Sequence, residues 1–86
     1  MNLYLLSQNE NSGWDTYDSC VICAETEEIA KNIHPSGEEF KGKEGSEYFW
    51  EYDDWANTLE GIACELIGTA NETQKRGVIC ASFNAG

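Results

Sequence analysis

The amino-acid sequence predicts an α+β fold, an antiparallel sheet of four to five strands with one helix packed on a face. Three observations predict it. Short apolar runs typical of strands lie near both ends of the 86-residue chain. One stretch between them carries a helix-start signal and a narrow apolar stripe. The composition, 41% hydrophobic, supports one small core, so we expect a single domain over residues 1–86.

Two paired strands are predicted in the first third of the chain. Residues 2–8 alternate bulky side chains on both sides, as a strand inside a sheet does. Turn formers follow at 9–13, and the apolar run 20–24 indicates a second strand that pairs with the first. Cys20 and Cys23 enclose a β-branched pair, which favours a strand over the tight turn of a zinc site. We therefore interpret both as structural cysteines on opposite faces of the strand.

One helix is predicted after the second strand. Thr26 is a candidate N-cap, and the carboxylates of Glu27 and Glu28 complement the positive end of the helix dipole. Because proline cannot continue a helix, Pro35 is expected to end it near His34. The sequence also favours His34 as a capping side chain at the helix C-terminus.

The rest of the chain predicts a loop, an ambiguous segment and two strands. Residues 36–47 are rich in glycine and charged residues, which indicates a mobile surface loop. Residues 48–55 fit both a helical and an extended pattern, and their aromatic content favours a short extended segment. The apolar runs 61–69 and 77–83, joined by the polar residues 70–76, are typical of a hairpin.

The sequence contains no motif for catalysis or for a cofactor. General acid–base and nucleophilic mechanisms need paired groups within reach, and His34 is the single histidine. Residues 9–13 lack the alternating acids of a calcium loop, and the glycines do not have the spacing of a phosphate-binding loop. We therefore expect a protein without enzymatic activity, cofactor or metal.

The chain is strongly acidic. Sixteen Asp and Glu against five Lys and Arg give a formal net charge of −11, which disfavours direct binding to nucleic-acid phosphates and to anionic membranes. The first eight residues contain no base and only a four-residue apolar run, too short for a signal peptide or a membrane span. These features predict a cytoplasmic protein whose four cysteines are free thiols.

Two acidic stretches without a base, Glu10 to Glu28 and Glu44 to Asp54, indicate a candidate partner-binding surface. Aromatic residues, frequent anchors in interfaces, are interleaved with both. The predicted main patch consists of Glu44, Glu47, Glu51, Asp53 and Asp54 with Trp50 and Trp55 as apolar anchors, and a second, weaker patch consists of Glu10, Asp15 and Asp18. The alternative is that the aromatic residues form the core and the acids only keep the protein soluble.

Four segments resemble short hypothetical proteins of phages and bacterial mobile elements: 4–8 (YLLSQ), 13–19 (GWDTYDS), 33–37 (IHPSG) and 77–86 (GVICASFNAG). The likeness spans most of the chain except the acidic stretch 38–58. Because that family has no established activity, the resemblance implies a mobile-element setting and transfers no functional residue. In that setting, a small acidic protein without a catalytic motif is similar in kind to anti-CRISPR and other anti-defence inhibitors.

Together these observations predict an inhibitor that binds the basic, nucleic-acid-binding surface of a host defence protein or nucleoprotein complex. A Cas effector is the expected partner, with no direct contact to nucleic acid or membrane, and the inhibitor acts in the host cytosol as a monomer or a homodimer. The alternative function is a small interaction or regulatory module that pairs through an exposed sheet edge or its aromatic segment, its acidity serving solubility alone.

Overall fold

In the part of the chain that the structure describes, a four-stranded antiparallel sheet and one short helix confirm the α+β arrangement. The computed structural model describes residues 1–37, 54–56 and 59–84. The strands are β1 (Asn2–Ser7), β2 (Thr16–Ala24), β3 (Ala63–Thr69) and β4 (Gly77–Asn84). The helix α1 is Glu27–Lys31, and a 3-10 turn, Leu59–Gly61, precedes β3. The strands lie in the order β3-β1-β2-β4 across the sheet.

The two central strands supply five of the ten buried residues of the core cluster, from alternate positions that point to the same face of the sheet. The register pairs Tyr4 with Ile22 and Leu6 with Cys20, and all four side chains are buried in one cluster. Burying a large apolar side chain of this kind stabilises a fold by roughly 1.5–3 kcal/mol. The predicted antiparallel pairing of the first two strands is confirmed.

The helix begins at the predicted residue and ends earlier than predicted. Thr26 has an extended backbone, and its hydroxyl oxygen accepts a hydrogen bond from the Ile29 amide at 3.2 Å, as an N-cap does. At the other end, Asn32 donates from its amide to the Ile29 carbonyl and from its side chain to the Glu28 carbonyl at 2.8 Å. Since Asn32 satisfies these carbonyls, the helix ends before it reaches Pro35.

The predicted hairpin of the last two strands is wrong. β3 pairs with β1, and β4 pairs with β2, so the two strands lie at opposite edges of the sheet. Three strand spacings, about 14 Å, separate them, and residues 70–76 cross the end of the central strands. The Ala70 amide donates to the Met1 carbonyl at 2.9 Å, which holds the crossing segment against the sheet. A polar connection between two apolar runs does not reveal which strands will be neighbours.

Two cysteines on β2 are buried, as predicted, on opposite faces of the strand. Cys20 lies in the core cluster, whereas Cys23 lies on the other face with its Sγ 4.0 Å from Met1 Sδ. Both are free thiols. Burial, assisted by the neighbouring thiols of Cys80 and Cys64, raises the pKa of Cys20 from its ordinary value of 9.0 to about 12.

This shift predicts a loss of stability at alkaline pH. Between pH 9 and 12 the unfolded chain releases the Cys20 proton while the folded protein retains it, so the stabilisation is complete below pH 9 and declines above it. We expect the free energy of unfolding to fall from pH 9 to 11 more steeply in the native protein than in Cys20→Ala, by up to about 1.4 kcal/mol per pH unit. Urea denaturation at several pH values measures both slopes, and equal slopes contradict the prediction.

Candidate partner-binding surface

Exposed acidic side chains collect at one end of the sheet. β1 and β4 end there, and β2 and β3 begin there, because Ser7 pairs with Ser19 and Ala63 while Thr16 pairs with Asn84. The loop 8–15 joins β1 to β2 at this end, and the 3-10 turn leads into β3. The exposed carboxylates that define the acidic end are those of Glu10, Asp15, Asp18 and Glu60.

Side-chain hydrogen bonds hold the loop 8–15 in place. Gln8 Nε2 donates to the carbonyls of Tyr17 at 2.7 Å and of Asn11 at 2.8 Å, and Gln8 Oε1 accepts from the Asn11 amide at 2.9 Å. Asn11 Nδ2 in turn donates to the Trp55 carbonyl at 3.3 Å. Each such bond contributes about 0.5–1.5 kcal/mol, so the loop presents its acids from a fixed backbone.

The tip of this loop exposes a tryptophan beside a carboxylate. Asp15 has a φ of +60°, a left-handed conformation that Asp and Asn tolerate better than most residues. Its amide donates to the Asn84 carbonyl at 2.6 Å, and Asn84 Nδ2 donates to the Gly13 carbonyl at 2.5 Å. Trp14 lies between Gly13 and Asp15, whose backbones these bonds hold in place, and it is 73% exposed. The loop therefore exposes a large aromatic side chain to water next to Asp15.

A close contact joins the loop to the 3-10 turn. The Glu10 side chain lies against Gly61, where the Cβ of any other residue would overlap the carboxylate. Because the carboxylate is the far end of a flexible side chain, a larger residue at position 61 would displace Glu10 from this contact. Because Glu60 precedes Gly61 in the turn, the contact brings the Glu10 and Glu60 carboxylates to the same end of the molecule.

A buried imidazole lies beneath the acidic end. His34 is 2% exposed, and its Nε2 lies 2.6 Å from Asp54 Oδ1. His34 Nδ1 accepts from the Ser36 amide at 2.9 Å, which assigns the ring proton to Nε2, where it is donated to Asp54. The ring also makes edge contacts with Tyr17 and Trp55. The predicted role of His34 as a helix cap is wrong, because α1 ends at Lys31 and the imidazole fixes the segment 54–56 instead.

The Ser36 hydroxyl also lies 2.8 Å from His34 Nδ1, so Asp54, His34 and Ser36 are the residue types of a catalytic triad. The hydrogen bonding between Ser36 and His34 differs from that between a catalytic nucleophile and its general base. The lone pair of Nδ1 already accepts the Ser36 amide proton, which leaves it poorly placed to remove the hydroxyl proton as well. The turn at Ser36 is better explained as a structural feature that holds the His34 imidazole in one orientation.

The predicted surface residues lie in different environments in the structure. Of the main patch, Asp54 is half-buried and bound to His34, and Trp55 is 1% exposed, so the prediction of Trp55 as a surface anchor is wrong. Trp55 packs in the core cluster with Ile33 and Ile62, since it is the largest apolar side chain available there. The other members of the main patch, Glu44, Glu47, Trp50, Glu51 and Asp53, lie outside the described residues. The second patch, Glu10, Asp15 and Asp18, is exposed at one end.

Three exposed residues near this patch were missing from the predicted set: Trp14, Glu60 and Phe83. The signal for Trp14 was its position after Gly13 in a cluster of turn formers, which places a side chain at a loop tip. Phe83 is 46% exposed on the edge strand β4, and its ring lies 4.7 Å from that of Tyr17. Only the strand order shows that β4 ends beside the loop 8–15.

The opposite end of the sheet has mixed charge. Arg76 Nη1 binds Glu25 Oε2 at 3.2 Å, with both side chains about half exposed. Lys75 and Glu72 lie in the same crossing segment, 70–76. By contrast, the described residues of the loop 8–15 and of the 3-10 turn include no Lys or Arg. Among the described residues, four exposed carboxylates and no base therefore lie at the acidic end, whereas other exposed acids, such as Glu25, Glu28 and Glu72, lie in segments that also carry Lys or Arg.

Comparison with protein-family models, with curated proteins and with solved structures finds no match for this chain. Within residues 1–37, 54–56 and 59–84, no group of three or more His, Cys, Asp or Glu side chains is placed to bind a metal ion. No helix in that part of the chain has the length and apolar character needed to cross a membrane. The geometry and charge of the acidic end are the features of this chain from which a function can be inferred.

Proposed function

We propose that the protein is a non-catalytic inhibitor that binds a basic, nucleic-acid-binding surface of a host defence protein, with a Cas effector as the first partner to test. In this proposal the acidic end occupies the place of nucleic-acid phosphates. The observation that carries it is the grouping of four exposed carboxylates around the hydrogen-bonded loop 8–15, with Trp14 exposed at its tip.

The charge of the acidic end suits a basic partner. Like charges gathered at one end of a small protein repel one another, and a cationic surface relieves that repulsion when it binds. The net charge of −11 adds a long-range attraction that accelerates the encounter. Since exposed charges are screened over about 8–10 Å at physiological salt, such binding weakens as ionic strength rises.

Trp14 supplies an apolar contact that carboxylates cannot. Tryptophan is among the residues most enriched in binding hot spots, because its ring buries a large area and can stack on guanidinium groups. With 73% of its surface exposed, Trp14 contributes little to the core and has that area available for a partner. An arginine-rich, phosphate-binding surface would match both the indole and the neighbouring acids.

The test is a competition measurement with purified Cas effectors and fluorescent nucleic acid. The native protein is expected to displace the nucleic acid, and the variant Glu10→Gln/Asp15→Asn/Asp18→Asn to do so at least about tenfold more weakly. Three exposed ion pairs of about 0.5 kcal/mol each account for that factor. Asparagine is chosen at position 15 because it tolerates the left-handed backbone.

A matched variant removes the same charge elsewhere. Glu28→Gln/Glu65→Gln/Glu72→Gln changes three exposed acids outside the acidic end and is expected to retain displacement. Equal weakening by both triple variants would show that net charge alone matters and would reject the acidic end as the binding surface. Binding that is insensitive to salt and to both variants would instead support an interaction module whose acidity serves solubility.

A further inference from the structure

β4 is an edge strand of the described sheet. Among the described residues it pairs with β2 on one side, and no strand pairs with its other side. Most of the strand is exposed, including Ile79 at 44% and Phe83 at 46%. Unpaired amide and carbonyl groups on such an edge bind another strand readily.

β4 lacks most features by which proteins protect an edge. Residues 77–84 contain no charged residue and no proline, whereas the other edge strand, β3, carries Glu65. The register of β4 with β2 shifts at two places, between Val78 and Cys80 and between Ser82 and Phe83, and from Cys80 to Ser82 the two strands pair one residue at a time. The regular part of the edge, residues 80–82, is the part that can serve as a template.

We propose that two copies of this chain pair through β4 in antiparallel orientation, joining the two sheets across a two-fold axis near Ala81. Ile79 and Phe83 lie on either side of the regular part of the edge, two residues before and two residues after Ala81. A pairing centred on Ala81 brings Ile79 near Phe83 of the second copy, and the reverse. Both exposed apolar side chains of the edge then gain a partner of the kind favoured in cross-strand pairs.

The charge distribution selects a second copy in this orientation. β4 begins directly after Lys75 and Arg76, and it ends at Asn84, whose carbonyl binds the Asp15 amide. Antiparallel pairing brings the bases of one copy within about 10 Å, two strand spacings, of Asp15 in the other. Parallel pairing would place the two acidic ends side by side. The charges of two β4 edges are therefore complementary in the antiparallel orientation and not in the parallel one.

Sedimentation analysis of the full chain tests the proposal. The native protein is expected to dimerise reversibly as its concentration rises, and Ala81→Lys to weaken dimerisation at least tenfold, because two ammonium groups meet at the axis. Thr69→Lys adds the same charge to exposed β3 and is expected to leave the dimer intact. A native protein that stays monomeric at hundreds of micromolar overturns the proposal, as does a dimer lost in Thr69→Lys and kept in Ala81→Lys.

Charge exchange tests the orientation. Lys75→Glu/Arg76→Glu and Asp15→Asn/Asp18→Lys are each expected to dimerise more weakly than the native protein, whereas a mixture of the two forms a heterodimer at least as stable as the native dimer. A mixture that associates no better than its components contradicts antiparallel pairing. Ala81 lies outside the acidic end, so the Ala81→Lys variant is expected to displace nucleic acid from the Cas effector as well as the native protein does, whether or not the dimer exists. The two assays therefore distinguish a failure of the dimer proposal from a failure of the proposed function.

Discussion

Trp55→Ala is expected to lower the free energy of unfolding by about 3–5 kcal/mol, the range for removing a buried tryptophan. Its side chain is 1% exposed and packs in the core cluster with Ile33, Ala56 and Ile62. Truncation removes the transfer energy of the ring and leaves a cavity in the core cluster. For a domain of this size, a loss of this magnitude is a large part of the total stability.

Trp14→Ala is the matched control, since it makes the same chemical change at a site that is 73% exposed. Its effect on stability is expected to stay within about 0.5 kcal/mol. Urea denaturation followed by far-UV circular dichroism measures both variants without depending on tryptophan fluorescence. Similar losses in the two variants would contradict the assignment of Trp55 to the core and Trp14 to the surface. The same pair separates stability from binding, because Trp14→Ala is expected to weaken the proposed partner contact alone.

The elements that depend on local sequence were predictable. β1 and β2 follow from runs of apolar residues, and the start of α1 follows from the threonine and two acids at 26–28. Turn formers at 9–13 correctly indicated the connection between the first two strands. In each case the signal and the structure lie within about ten residues of one another, so side-chain pattern and capping chemistry determine the outcome.

Features that depend on distant contacts were not predictable. The separation of β3 from β4 depends on which central strand each one joins, and neither run of residues encodes that choice by itself. Trp14 and Trp55 have similar acidic surroundings in the sequence, yet one is exposed and the other buried, because only Trp55 is brought between Ile33 and Ile62. The pairing of His34 with Asp54 joins residues twenty positions apart, and a lone histidine near a proline gives no sign of it.

The buried pair of His34 and Asp54 is expected to show a coupling energy of about 1.5–3 kcal/mol in a double-mutant cycle, the range for hydrogen bonds to charged groups. The side chain of His34 is 3% exposed and that of Asp54 19%, and their 2.6 Å contact is shielded from water on the histidine side. Removing Asp54 alone leaves a buried ring nitrogen without its acceptor. Removing both groups avoids that penalty, so the double variant is expected to be more stable than the sum of the single losses implies.

The exposed pair of Glu25 and Arg76 provides the comparison. Its atoms are 3.2 Å apart, but its side chains are 45% and 44% exposed, so water and salt screen the attraction. The same cycle with alanine is expected to give a coupling energy of about 0.5 kcal/mol or less. Equal coupling in the two cycles would contradict a specific role for the buried pair. A large coupling confined to His34 and Asp54 would show that this contact fixes the segment 54–56, whose carbonyls bind Tyr17 and Asn11, and thereby supports the loop that carries the acidic end.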